Sequence, residues 1–244
     1  MTTRPAPAPP PVPAPEPAPA ASSRAVSARG LFVVFEGGDG AGKSTQVGRL
    51  VDALRAAGHD TVRTREPGGT PLGERVRELV LDPAHGPVDA RAEALLFAAA
   101  RAAHVAQLIR PALAAGRTVV CDRFADSSAA YQGAGRGLGL DRVAELNAWA
   151  TAGLVPDVTV LLDVPAGTGR ARREARDGAA GDRLETEPDA FHDANRAAFL
   201  ELADRAPERY LVLDATRPAE ELAAAVRTRL AGLLRCAPAA EVGA

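Results

Sequence analysis

Apolar runs and helical periodicities alternate along the chain after residue 30. Five short segments predict strands, and several of them are nearly continuous apolar runs: Leu31–Glu36, Thr61–Arg65, Thr118–Asp122, Val158–Val164 and Tyr210–Asp214. Such runs are typical of parallel strands covered on both faces. Between them, helical spacing is found in Lys43–Ala57, Leu72–Leu81, Ala90–Ala115, Asp141–Ala152, Thr168–Arg176, Pro188–Arg205 and Pro218–Leu234. The pattern predicts one α/β domain over residues 30–235, with a five-stranded parallel sheet covered by helices on both faces.

A glycine-rich segment lies between the first predicted strand and the first predicted helix. It consists of Gly37, Gly38, Asp39, Gly40, Ala41, Gly42, Lys43, Ser44 and Thr45, and it fits the pattern G-x-x-x-x-G-K-[ST]. Glycines let backbone N–H groups surround a phosphate, and the helix N-terminus adds partial positive charge. Lys43 can reach the outer phosphates, and Ser44 can offer its hydroxyl to Mg²⁺. Because a strand and a helix flank the segment, we interpret it as an ATP-binding loop rather than an accidental turn.

Composition and charge restrict the class of protein. The formal net charge of −2 argues against binding a nucleic-acid polymer. Cys121 and Cys236 are too far apart in sequence to suggest a disulfide or metal framework. Residues 1–29 are rich in proline and alanine, so we predict a disordered extension there, and a disordered tail over residues 236–244. We find no signal peptide and no stretch of transmembrane length, and we predict a cytoplasmic protein without a membrane partner.

Polar groups follow the second and third predicted strands. Residues 65–70 turn sharply after the second strand, and a plain turn is the alternative interpretation. Asp122 and Arg123 end the third strand, where an acid can hold Mg²⁺ and an arginine can bind phosphate, unless the two form a structural ion pair. Residues 126–133 carry hydroxyl, phenol and amide groups suited to the edge of a base, although a capped surface helix would need similar residues.

An arginine-rich segment follows the fourth predicted strand and is interrupted by glycines. Its arginines are Arg170, Arg172, Arg173, Arg176 and Arg183. A run of charges is usually a solvated face. Here the glycines permit a mobile lid, residues 168–185, whose arginines would neutralise charge on a triphosphate.

Together these motifs resemble the bacterial type of the thymidylate kinase family, whose members are P-loop kinases. The resemblance extends from Gly30 to Leu234. It rests on residues 35–37 before the loop, Arg-Glu-Pro-Gly-Gly at 65–69, residues 93–101, Asp122-Arg123, Ala-Tyr-Gln-Gly at 130–133, Pro156-Asp157 and residues 182–185. It implies a P-loop kinase fold with strand order 2-3-1-4-5. It also implies transfer of the γ-phosphoryl group from ATP to dTMP, Mg²⁺ as cofactor, and a homodimer.

The resemblance implies roles for particular residues. Asp39 resembles the acid that accepts a hydrogen bond from the sugar 3′-hydroxyl, and Phe97 the aromatic that stacks on thymine. The remaining residues of the implied dTMP site are Glu66, Arg77, Arg101, Arg123, Ser128 and Gln132, of which Arg77 and Arg123 resemble the pair that holds the acceptor phosphate. For Phe97 and Arg101, an ordinary amphipathic helix is the alternative.

Some family members carry an arginine in the P-loop where this chain has Gly40. The catalytic arginine would then come from the lid, with Arg172 and Arg176 as candidates beside Lys43 and Arg123. Ser44 and Asp122 are the predicted metal site.

Other classes of protein remain as alternatives. A different nucleoside or nucleoside-monophosphate kinase would share the loop and read another base. A GTPase switch would carry Asn-Lys-x-Asp, which is impossible because Lys43 is the single lysine of the chain. An ATP-operated assembly factor would hydrolyse ATP slowly without a small-molecule acceptor. Trp149 and the predicted helix 90–115 are candidates for a dimer interface, with core packing as the alternative.

Overall fold

The computed structural model describes residues 29–177 and 181–234. Most of the predicted N-terminal extension (residues 1–28), the predicted tail with Cys236, and residues 178–180 of the predicted lid lie outside the described residues. Arg29, the last residue of the predicted extension, belongs to the fold. Its guanidinium donates two hydrogen bonds to the carboxylate of Asp157, at 2.6 and 3.1 Å.

Five parallel strands form one sheet in the spatial order β2-β3-β1-β4-β5. In chain order they are β1 (Phe32–Glu36), β2 (Thr61–Arg65), β3 (Thr118–Asp122), β4 (Val158–Asp163) and β5 (Tyr210–Asp214). The predicted fold class and strand order are therefore confirmed. β1 lies at the centre of the sheet, and all five of its residues are buried. Its carboxyl end consequently lies beside the ends of β3 and β4, where the P-loop begins.

Helices cover both faces of the sheet. They are α1 (Lys43–Ala56), α2 (Pro71–Leu81), α3 (Ala90–His104), α4 (Arg110–Ala114), α5 (Ala125–Ser128), α6 (Leu140–Ala150), α7 (Ala166–Asp177), α8 (Asp189–Arg205) and α9 (Ala219–Leu234). Val33 and Phe35 of β1 pack in a core with α1 and α9. Phe32 and Val34 face the opposite side and pack with Ile109 and the α4 region. This alternation follows from the period of two in a strand.

The helical stretch predicted over residues 90–115 is interrupted by a π-helical segment, Val105–Ile109, between α3 and α4. Pro111 lies in the first turn of α4. Proline lacks an N–H and its ring crowds the preceding turn, so the hydrogen-bond ladder has to widen before it. A second π-helical segment, Ala129–Gly135, follows α5 and carries several predicted site residues.

Residues 90–114 are long and apolar enough to cross a membrane by those two criteria. However, 56% of the apolar window is buried inside the protein, and α3 packs against α2 and α6. These observations identify the stretch as a core helix of the fold.

Candidate active site

The P-loop and the Asp122–Arg123 pair lie together at the carboxyl edge of the sheet. β1 and β3 are neighbours, with Phe35 opposite Asp122 in register. The loop leaves β1 at residue 37, and α1 begins at Lys43, directly after Gly42. The φ of Gly42 is 91°, a conformation that glycine adopts without strain. The sheet and the turn therefore bring the start of α1 next to the end of β3.

The ammonium of Lys43 is buried inside the P-loop. Its Nζ donates to the carbonyl oxygens of Gly37 at 3.0 Å and Gly38 at 2.7 Å. Burial, followed by repulsion from Arg123, lowers the pKa of Lys43 to about 8. A phosphate beside the loop would offset both effects, so this geometry favours an anionic ligand.

The guanidinium of Arg123 connects the P-loop to the segment that follows β3. Its Nη1 donates to the carbonyl oxygen of Gly37 at 2.9 Å and to Ser127 Oγ at 3.1 Å. Its Nη2 donates to Asp39 Oδ1 at 2.5 Å, and the hydroxyl of Tyr131 donates to Asp39 Oδ2 at 2.8 Å. Burial alone would raise the pKa of Asp39, but Arg123 and Lys43 outweigh it and lower the pKa to about 2. Asp39 is thus held as an ionised acceptor.

Arg123 has a left-handed backbone conformation, with φ of 68°, that a residue with a side chain rarely adopts. The carboxylate of Glu36 is fully buried nearby and binds the segment that follows Arg123. Glu36 accepts hydrogen bonds from the backbone N–H of Phe124 at 2.8 Å and from Ser127 Oγ at 2.5 Å. Burial and the nearby Asp126 raise the pKa of Glu36 to about 7. We infer that these bonds help to hold Arg123 in its strained conformation.

Ser44 and Asp122, the predicted metal site, are in direct contact. Ser44 Oγ donates to Asp122 Oδ2 at 2.7 Å on the exposed side of the loop. A hydroxyl and a carboxylate are hard oxygen donors of the kind that Mg²⁺ binds, together with water and phosphate oxygens. The donor set therefore fits Mg²⁺ bound with a nucleotide. Among residues 29–177 and 181–234, no group of three or more His, Cys, Asp or Glu side chains could hold a metal ion by itself.

A cavity of about 250 Å³ lies beside the P-loop. It is lined by all eight residues of the implied dTMP site: Asp39, Glu66, Arg77, Phe97, Arg101, Arg123, Ser128 and Gln132. Lys43, Ser44, Asp122 and Arg176 line the same cavity. The structure thus brings together groups from five different segments of the chain, although their roles stay predictions.

Arg101 lines this cavity and makes four hydrogen bonds within the protein. Its Nε donates to Glu66 at 2.7 Å, its Nη1 to Asn147 at 2.5 Å, and its Nη2 to Ser128 Oγ at 3.1 Å and a backbone carbonyl at 3.0 Å. Glu66 in turn pairs with the buried His104 at 2.9 Å. Most N–H donors of Arg101 are therefore committed within the protein. Arg101 fixes the shape of the cavity, whether or not it also contacts a ligand.

The predicted lid residues take different positions. Arg176 lines the cavity, whereas Arg172 donates to the carbonyl oxygen of Ala215 at 2.8 Å and does not line it. Arg77 also lines the cavity and donates to the carbonyl oxygen of Pro67 at 3.1 Å. Burial, with repulsion from Arg65, lowers the pKa of Arg77, and an anionic ligand would relieve both effects.

Helix α7, which carries the first part of the predicted lid, touches the P-loop through two glycines. A Cβ on Gly40 would lie 2.0 Å from the carbonyl oxygen of Gly169, and a Cβ on Gly169 would lie 2.3 Å from the carbonyl oxygen of Asp39. Neither position can hold a side chain in this arrangement. The absence of an arginine at position 40 is thus coupled to the close approach of the lid helix.

Several functional groups were missed by sequence reasoning. They are Glu36, Glu93 and Asn147, whose contacts join segments distant in sequence. Ser127 and Tyr131 enter the sequence analysis only as members of residues 126–133. The hydroxyl, phenol and amide groups of that segment are the one signal that points to them. Glu36 ends an apolar strand, where an acid is unremarkable by sequence alone.

A phosphate-binding loop on a sheet of order 2-3-1-4-5, with a polar cavity beside it and an arginine-rich helix α7 in contact with it, is typical of a P-loop nucleotide kinase. The model of the family described as Thymidylate kinase matches residues 35–226. The chain is 55% identical to the thymidylate kinase of Leifsonia xyli over 204 residues, which is 83% of this chain and 95% of the relative. It is 53% identical to the thymidylate kinase of Cutibacterium acnes over 205 residues, 84% of this chain and 98% of the relative. The chain belongs to the thymidylate kinase family.

The contact between Gly169 and the P-loop generates a prediction with a matched control. A methyl group at position 169 would lie 2.3 Å from the carbonyl oxygen of Asp39 and would push the P-loop away. A displacement of about 1 Å in a phosphate-binding loop lowers the phosphoryl-transfer rate by about tenfold or more. Gly169→Ala should therefore reduce kcat. Gly167 lies two residues earlier in the same helix, where an added Cβ meets nothing within 4 Å. Gly167→Ala should leave kcat within about twofold, because it adds helix propensity without a clash. Equal rates for the two variants would contradict this interpretation of the contact.

The raised pKa of Glu36 generates a prediction about stability. Between its ordinary value of 4.5 and about 7, the folded chain keeps a proton that the unfolded chain has released. The contribution of Glu36 to stability therefore falls as the pH rises through this range. Glu36→Gln removes the titration. Urea denaturation from about pH 5 to pH 8 should show the free energy of unfolding of E36Q rising relative to that of the wild type. Parallel curves for the two proteins would rule out the raised pKa.

Proposed function

We propose that this chain catalyses the ATP-dependent phosphorylation of dTMP to dTDP. The observation that carries the proposal is that the P-loop lysine and all eight residues of the implied dTMP site line the same cavity. Two of the eight, Asp39 and Arg123, form an ion pair there. Family membership supports the same reaction. The donor and acceptor phosphates would both reach this cavity, as direct transfer requires.

The γ-phosphoryl group would pass directly from ATP to a phosphate oxygen of dTMP, in line with the bond that breaks to ADP. Backbone N–H groups of the P-loop and the ammonium of Lys43 would hold the donor phosphates. Arg123 would stay between the P-loop and the acceptor, and Arg77 would pair with the acceptor phosphate. The enzyme's contribution is positioning and cancellation of charge, and no side chain need become phosphorylated.

Ser44 and Asp122 would hold Mg²⁺ with the nucleotide, and the ion would neutralise charge on the β- and γ-phosphates. Arg176 faces the cavity from α7 and is the better-placed candidate for the catalytic lid arginine. Arg172 would need to leave the carbonyl group of Ala215 before it could take that role. Closure of the lid would exclude water and limit hydrolysis of ATP.

The base would lie between Phe97 and the polar groups of α5 and the π-helical segment that follows it. Phe97 is buried but lines the cavity, so its ring can stack on a pyrimidine. Asp39 would accept a hydrogen bond from the sugar 3′-hydroxyl. Ser128 and Gln132 line the cavity and would present a hydroxyl and an amide to the edge of the base.

We also propose a homodimer in the cytoplasm. α2, α3 and α6 expose large apolar side chains: Leu72 and Leu79, Leu95, and Trp149, which is 82% exposed. α3 packs against both α2 and α6, so these side chains lie on neighbouring helices, and clustered exposed apolar side chains are typical of interaction sites. Packing of this face against a second copy would cover it. Core packing, the alternative considered for Trp149, does not apply to this side chain, because it lies on the surface.

A nucleotide panel tests the proposed function. The purified chain, ATP and Mg²⁺ are incubated with dTMP, dUMP, dGMP or CMP, and ADP and diphosphate products are separated. We expect equal amounts of ADP and dTDP, with dTMP preferred over dGMP and CMP. Lys43→Met should lower kcat by about a thousandfold, because an ammonium that cancels phosphate charge is lost. Preference for a purine acceptor would favour another nucleotide kinase, and hydrolysis of ATP that no acceptor stimulates would favour the assembly factor.

A further inference from the structure

The side chain of Glu93 is fully buried between the acceptor cavity and the lid. Glu93 lies on α3, one turn before Phe97, and none of its surface is exposed. Its carboxylate has no part in the proposed transfer of the phosphoryl group. A buried carboxylate is costly unless its partners compensate, so its contacts identify what it does.

The two carboxylate oxygens accept hydrogen bonds from three side chains. Oε1 accepts from Gln132 Nε2 at 2.9 Å and from Arg136 Nε at 3.3 Å. Oε2 accepts from Arg183 Nη2 at 2.5 Å and from Arg136 Nη2 at 3.3 Å. Arg183 also donates to the carbonyl oxygen of Val80 at 2.9 Å, and its backbone N–H donates to the carbonyl oxygen of Leu81 at 3.0 Å. One carboxylate therefore contacts both the amide beside the cavity and the end of the lid.

The contact with Glu93 determines which way the amide of Gln132 points. An amide has a donor end and an acceptor end, whereas a carboxylate facing two guanidinium groups only accepts. The nitrogen of Gln132 must therefore face Glu93. Gln132 lines the cavity, and among the described residues no group donates to its Oε1. The oxygen is consequently the end available to a ligand.

An acceptor in this position discriminates between pyrimidines. The N3 of thymine carries a proton and donates to an amide oxygen. The N3 of cytosine carries a lone pair, so the same oxygen would repel it. A buried polar site of this kind can reject the wrong base strongly, because mismatched groups lose their hydrogen bonds to water without replacement.

We propose that Glu93 is a positioning residue that sets the base specificity of the acceptor site, by holding the oxygen of the Gln132 amide toward the base. The inference rests on the proposed function, in which Gln132 contacts the acceptor base. Glu93 itself does not touch the nucleotide. Its contact with Arg183 ties the same carboxylate to the lid, so the orientation of the amide and the anchoring of the lid depend on one group.

The variant Glu93→Gln tests the inference. A glutamine at position 93 can present either its oxygen or its nitrogen, so the amide of Gln132 becomes free to reverse. We expect the ratio of kcat/KM for dTMP to that for dCMP to narrow by about tenfold or more. The ratio for dTMP to dUMP should stay within about twofold, because uracil has the same N3–H as thymine. A purely structural role for Glu93 would lower activity with every nucleotide and leave both ratios unchanged.

Arg183→Gln is the matched control, because it breaks the contact of Glu93 with the lid and spares the contact with Gln132. It should lower kcat with each nucleotide and leave the dTMP-to-dCMP ratio unchanged. The double variant E93Q/R183Q preserves the net charge of the cluster, and it replaces E93Q if the unpaired arginines prevent folding. It should narrow the ratio as E93Q does.

The variant Gln132→Ala separates failure of this inference from failure of the proposed site. If Q132A narrows the dTMP-to-dCMP ratio and E93Q does not, the role of Glu93 is wrong and the acceptor site stands. If Q132A leaves the ratio unchanged, Gln132 does not read the base, and both the role of Glu93 and the proposed base contact of Gln132 are wrong. A neutron structure of the wild-type chain with dTMP needs no variant: amide deuterons of Gln132 should face Glu93, and deuterons facing the base would overturn the inference.

Discussion

The guanidinium of Arg123 is the connection on which the geometry of the site depends. It binds Gly37 and Asp39 of the P-loop on one side, and Ser127 on the segment after β3 on the other. One rigid group therefore joins the P-loop to the segment after β3. The strained backbone of Arg123 is held in place by the buried Glu36, so the arrangement has an energetic cost that the surrounding hydrogen bonds offset. Such preorganisation is what phosphoryl transfer needs, because little other chemistry falls to the protein.

Buried carboxylates hold other side chains around the cavity in a similar way. Glu66 holds Arg101 beneath the cavity, and Glu93 holds Gln132 at its side. Each carboxylate is satisfied by several donors, which offsets the cost of burying it. The contact between Gly40 and Gly169 adds a steric constraint where α7 meets the P-loop. The site is thus a set of small polar networks whose members come from different strands and helices.

Much of the fold and part of the site could be predicted from the sequence, because their signals are local. The P-loop is one contiguous segment, and the five predicted strands lie within one residue of the observed ends. The partners of Arg101 could not be predicted, since Glu66 and Asn147 lie 35 and 46 residues away. The hydrogen bond from Arg172 to the carbonyl oxygen of Ala215 joins positions 43 residues apart, and no periodicity encodes it. A helix over residues 126–133 was considered only as a capped surface helix. Its π-helical form and its burial could not be predicted, because a π-helical segment has no distinctive composition.

The central claim is that Arg123 acts through its fork of donors and not through its charge alone. Arg123→Lys keeps the positive charge, but one ammonium cannot bind the P-loop, Asp39 and Ser127 together. The decisive measurement is single-turnover transfer from ATP to dTMP by this variant, alongside ATP affinity. The account predicts that the transfer rate falls by about a hundredfold or more while ATP affinity changes by less than about threefold. A transfer rate close to that of the wild type would contradict it.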